Sequence, residues 1–189
     1  MEPLNALDLA RSEFERRLRA VRPDQWDNPT PCEGWTVRTL VNHVVGSNHI
    51  AVLLLGGSSW AEAIAAVSRA ALGEDALAAF GRGVDEMAAA FRQPGALEVT
   101  CHHVAGDVSG EQLLGFRIGD LTIHSWDLAR GIGGDDTLDH GLVQGAWQAM
   151  APRADTIGKS GLFGSGPSGQ VGEDAPLQTR LLDLTGRRP

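Results

Sequence analysis

The sequence predicts an all-α protein built on a four-helix bundle. Apolar residues make up 42% of its 189 residues but aromatics only 5%, with no tyrosine. That palette packs helix on helix better than it fills a sandwich or barrel. Apolar residues also recur at helical spacing in several long segments, and Gly- and Pro-rich stretches punctuate them. With no internal repeat and no long linker, residues 1–189 are read as one domain.

The first helix is expected from about Leu4 to Val21, with Leu7, Phe14 and Leu18 on its apolar side, and Arg22-Pro23-Asp24 closes it. Asn28-Pro29-Thr30-Pro31-Cys32-Glu33-Gly34-Trp35 is turn chemistry, because two prolines remove donors and restrict their neighbours. Thr36 then caps a second helix over Val37 to Leu55, which Gly56-Gly57 stops. A short helix is expected around Trp60 to Val67 and a long one from Asp75 to Phe91. Residues 97–108 carry β-branched residues and predict a short hairpin turning near Gly106-Asp107. Ser109, with Gln112 three residues on, forms a capping box that opens a long helix from Gly110 to Arg130. Further helices are expected over Leu138 to Met150 and Leu177 to Leu184, with a Gly/Ser/Pro-rich loop from Gly158 to Gly172 between them.

Charge and hydropathy exclude several classes of partner. The net charge is -8 and the only lysine is Lys159, so no basic groove for nucleic acid is expected, nor attraction to an anionic membrane. No apolar run approaches a membrane span, and Met1-Glu2-Pro3-Leu4 does not read as a signal peptide. A cytoplasmic location is therefore expected, with Cys32 and Cys101 as reduced thiols.

The chemistry concentrates on the helix after Ser109. Arg117, Asp120 and His124 fall on one stripe with Leu113 and Leu128, a face that should be buried. Buried charge needs compensation. Asp120 and His124, at i and i+4, lie one turn apart on that face and are able to grip one divalent ion. A third ligand would come from a facing helix, and His43 on the second helix borders its apolar side. Such a His/Asp/His set suits zinc, or nickel or iron, and leaves a coordination position open. The spacing is equally compatible with a buried Asp–His ion pair or a polar core histidine.

A resemblance extends this reading. Thr30-Pro31-Cys32-Glu33-Gly34-Trp35-Thr36-Val37-Arg38-Thr39-Leu40 with Asn42-His43-Val44-Val45-Gly46 resembles the first signature of the DinB-like superfamily, and Asp120-Leu121-Thr122-Ile123-His124-Ser125-Trp126-Asp127-Leu128-Ala129-Arg130 the second. More closely, the chain resembles the metal-binding N-terminal domain of mycothiol-dependent maleylpyruvate isomerase. Its terminal Arg180-Leu181-Leu182-Asp183-Leu184-Thr185-Gly186-Arg187 is similar to that of short actinobacterial relatives. The resemblance implies a divalent metal on His43, Asp120 and His124, where the isomerase has glutamate in place of Asp120. It also implies a low-molecular-weight thiol, mycothiol, as co-substrate and an electrophilic small molecule as its target. On this reading the protein is a metal-dependent transferase or isomerase; a non-catalytic metal-binding or ligand-sensing bundle is the alternative. The isomerase's further C-terminal domain is not expected here, and assembly as a homodimer through a bundle face stays open.

Other residues have competing readings. Arg117 either meets a carboxylate of thiol or substrate, as a cofactor-binding residue, or pairs with Asp120 or Asp127. Asp127 is an outer carboxylate orienting a liganding histidine or a surface charge. Trp35 and Trp126 are expected to pack the bundle. His102 and His103 point to opposite faces, so at most one approaches the site. His49 and His140 are set aside, and Cys32 is a candidate reactive thiol with nothing nearby basic enough to activate it clearly.

Overall fold

The computed structural model describes residues 1–67, 72–73, 75–157, 163–164 and 166–189. Helix α1 (Pro3–Arg19) starts on a proline, whose missing N–H costs nothing in a first turn, and buries Leu7, Ala10, Phe14 and Leu18. It stops two residues before Val21, whose N–H turns back to Leu18 O at 3.2 Å. The following loop is anchored from a distance: Gln25 Nε2 donates to Ile132 O at 2.8 Å and Asn28 Nδ2 to Gly131 O at 3.1 Å. Gly131 permits this approach, since a Cβ there would sit 2.9 Å from Val37 Cγ2 and 3.2 Å from Thr30 Cγ2. A bridge between Pro29 and Thr36 closes the loop on itself.

Helix α2 (Val37–Leu55) has the predicted limits, and Thr36 caps it by accepting from Thr39 N. Helix α3 (Trp60–Val67) follows, then α4 (Ala76–Phe91), capped by Asp75. Strands β1 (Thr100–His103) and β2 (Gly106–Ser109) pair antiparallel, with His102 opposite Asp107 and His103 opposite Gly106. The turn is therefore at Val104-Ala105, two residues earlier than predicted. Cys101 is buried, and strand alternation then turns His102 outward, where it meets the Asp107 carboxylate at 2.8 Å.

Helix α5 (Gly110–Ile132) opens on the Ser109/Gln112 capping box. Helix α6 (His140–Met150) starts two residues after the predicted Leu138, because Asp139 is its cap and Leu138 N–H is taken by Gln178 Oε1. Short α7 (Ala154–Ile157) and α8 (Leu177–Leu184) complete the chain. Of the predicted Gly158–Gly172 loop, residues 158–162 and 165 lie outside the described residues, and the rest carries no helix or strand. Neither cysteine forms a disulfide.

Helices α1 and α2 each pack against both α4 and α5, which makes the four-helix bundle. Phe14 and Phe80 meet in its core with ring centroids 5.0 Å apart. The prediction of one buried stripe on α5 is too narrow. Trp126 joins Leu138, Val143, Leu181 and Leu182 in a second apolar cluster, so Leu121 to Ala129 are buried on all sides. Among the described residues, no helix is long and apolar enough to cross a membrane.

Candidate metal centre

Helix packing brings His43 of α2 against Asp120 and His124 of α5. Asp120 Oδ1 lies 3.5 Å from His43 Nε2 and 3.4 Å from His124 Nε2. The three donor atoms all lie within 4.8 Å of one another. Ligands spaced tetrahedrally at zinc bond lengths are separated by roughly 3.3 Å, so the set accommodates a divalent ion with small side-chain adjustments. Among the described residues no fourth His, Cys, Asp or Glu joins these three.

A second layer of groups orients the donors. Arg117, buried at 6% exposure, donates to Asp120 Oδ2 at 2.8 Å and to Asn48 Oδ1 at 2.9 Å. This is the ion-pair reading of Arg117, and it leaves Asp120 Oδ1 for the histidines. His124 Nδ1 donates to Asp127 Oδ2 at 2.9 Å, which directs the lone pair of the neutral ring to Nε2, toward Asp120. Asp127 is fully buried and is the orienting carboxylate rather than a surface charge. It accepts from Arg187 twice, Nε to Oδ1 at 3.2 Å and Nη2 to Oδ2 at 2.7 Å.

Burial alone would raise the Asp127 carboxyl, but hydrogen bonds from His124 and Arg187, and their charges, bring it down to about 2. Burial also works against charge on His124 and Asp120. Their mutual attraction outweighs it, with Arg117 adding to the effect at Asp120, so without a metal the imidazole is held well above its ordinary value and the carboxyl well below.

Arg187 escaped the sequence reading. It stands 60 residues from Asp127, and nothing local marked it as inward-facing. It also reaches Cys32. Arg187 Nη2 lies 3.4 Å from Cys32 Sγ, while the thiol donates to Asp127 Oδ2 at 3.2 Å. The cation comes from the far end of the chain, so the residues around Cys32 gave no sign of it.

The donors open onto a cavity of about 540 Å3. Trp35 packs partly on the core yet also lines this cavity, its ring 4.8 Å from that of His43, so the packing expectation holds fully only for Trp126. Trp60, His103 and Phe116 form another stretch of wall, with successive ring centroids 5.1 Å apart. His103 is thus the histidine of the pair that approaches the site. His49 instead pairs with Glu86 at 3.6 Å, and His140 is exposed.

Residues 7–129, which contain all three donors, match the family described as the mycothiol maleylpyruvate isomerase N-terminal domain. The chain belongs to this family. Two proteins from different strains of Mycobacterium tuberculosis, both described as uncharacterized, are 33% identical to it over 143 residues, 76% of this chain and 74% of theirs. Among solved structures, the mycothiol-dependent maleylpyruvate isomerase aligns with a TM-score of 0.61 at 21% identity, covering 81% of this chain and 68% of its own. A histidine-to-alanine variant of that isomerase aligns with a TM-score of 0.62 over the same shares. These likenesses establish a shared helical-bundle fold.

Proposed function

We propose that this protein binds a divalent metal through His43, Asp120 and His124 and uses it, with a low-molecular-weight thiol such as mycothiol, to act on a small electrophile by transfer or isomerisation. The observation that carries this reading is the convergence of three donors on the wall of a cavity of about 540 Å3, with no fourth protein donor among the described residues. A purely structural metal site is normally closed by four protein ligands, whereas this set leaves a side free toward the cavity. Zinc suits the donors best, and nickel or iron also fit imidazole and carboxylate.

A bound divalent cation supplies Lewis acidity, lowering the pKa of a coordinated thiol toward neutrality. The protein's own groups prepare the place. Asp127 holds the Nδ1 proton of His124, so that Nε2 faces the site. Arg117 holds one oxygen of Asp120 and leaves the other for the ion. The Trp35 ring lies 4.8 Å from that of His43, and apolar side chains make up much of the surrounding wall.

Elemental analysis of the purified protein beside His43→Ala and His124→Ala tests the metal. The expected result is one equivalent of metal in the wild type, after zinc loading if necessary, and a large loss in both variants. A wild type without stoichiometric metal overturns the reading. Metal binding without mycothiol-dependent consumption of model electrophiles would favour the ligand-sensing alternative.

A further inference from the structure

We infer that Cys32, with the ring nitrogen of His124 turned away from Asp120, forms a second metal site, one that takes a soft monovalent ion such as cuprous copper. The site itself stands apart from the proposed function; only its competition with the divalent ion rests on that reading.

Cys32 Sγ, His124 Nδ1 and an Asp127 carboxylate oxygen lie within 4.8 Å of one another, a second donor group that shares only His124 with the first. Cys32 Sγ is 4.0 Å from His124 Nδ1. A thiolate sulfur and an imidazole nitrogen on opposite sides of one ion are separated by roughly 4 Å, the sum of the two bond lengths. An ion therefore fits between them with small side-chain adjustments. Cys32 is half-buried, and both residues line the cavity, which gives the ion a way in.

Donor type and charge choose the ion. Thiolate is a soft ligand that favours cuprous copper, and imidazole also binds copper. Asp127 and Arg187 already cancel each other, joined at 2.7 and 3.2 Å. A monovalent ion cancels the single charge of the Cys32 thiolate. A divalent ion would leave an excess positive charge beside the Arg187 guanidinium, whose Nη2 lies 3.4 Å from Sγ. On binding, the S–H and Nδ1 protons now directed at Asp127 leave, and a proton stays on Nε2, facing Asp120. The divalent site needs the opposite tautomer, with Nε2 free and Nδ1 protonated. A neutral imidazole serves one ion at a time, so the two ions compete.

Cuprous copper is titrated anaerobically into metal-free protein against a chromogenic chelator, and the loaded protein is measured by X-ray absorption. One equivalent is expected, held by one sulfur and by nitrogen or oxygen donors. Cys32→Ser is expected to weaken binding at least about 100-fold, with Cys101→Ser and His43→Ala within about threefold of wild type. No copper uptake, unchanged affinity in Cys32→Ser, loss in Cys101→Ser or His43→Ala, or a copper centre without sulfur overturns the inference. The absorption measurement and Cys101→Ser decide it even if Cys32→Ser does not fold. Zinc-loaded wild type is expected to bind copper at least roughly tenfold more weakly, and unchanged affinity there overturns the sharing of His124. A wild type that takes up no zinc defeats the proposed function and leaves the copper result decisive for this site.

Discussion

Replacing Asp127 with asparagine keeps the shape of the side chain and removes its charge from behind His124. In the wild type this carboxylate accepts from His124 Nδ1 at 2.9 Å and from two Arg187 nitrogens at 3.2 and 2.7 Å. An amide offers one accepting oxygen instead of two, and its NH2 faces donors. Loss of an outer carboxylate behind a liganding histidine typically weakens metal binding about 10- to 100-fold, at about 1.4 kcal/mol per tenfold. Stability changes too. The Asp127 carboxyl is lowered from 3.8 to about 2, so its charge contributes roughly 2 kcal/mol to the metal-free protein at neutral pH. For a depressed carboxyl that contribution is complete above the unfolded value near 3.8 and disappears as pH falls through about 2. Asp127→Asn leaves the Arg187 cation buried without its counter-charge, which adds to the loss. Zinc competition titrations against a chelator measure the first effect, and denaturant unfolding of the metal-free proteins between pH 7 and pH 2 the second. A variant that keeps its fold and binds zinc within about twofold of wild type would refute the orienting role given to Asp127.

Zinc binding is expected to release a proton, because the metal must displace the one on His124 Nε2 that faces Asp120, while Asp127 keeps the one on Nδ1. Calorimetry in buffers of differing ionisation enthalpy will report that proton, and zinc affinity should rise with pH up to the elevated His124 value. No proton release at neutral pH would contradict the charge state assigned to the metal-free site. At the start of α5, Gly110→Ala places a Cβ 1.9 Å from the Ala96 carbonyl oxygen, a backbone atom that cannot simply rotate away. Destabilisation of at least about 2 kcal/mol is expected in urea unfolding, and a neutral result would refute this close approach.

Where a structural cue is complete within a few residues, it is legible in the sequence. Helix α2 has the predicted limits because the cap at Thr36 and the stop at Gly56 lie beside it. Asp120 and His124 are placed together by helical pitch alone, and the Ser109/Gln112 capping box spans only three residues. Tertiary packing decided the rest. It set His43 Nε2 3.5 Å from Asp120 and settled Arg117 in an ion pair with that same carboxylate. It buried Asp127 completely by covering a second face of α5, which a single-stripe reading leaves to solvent. It also drew Arg187 across 155 positions to Cys32, and across 60 to Asp127. The physical reason is range: period and capping act between near neighbours on the chain, whereas the compensation of a buried charge is met by whichever residue the closed fold delivers.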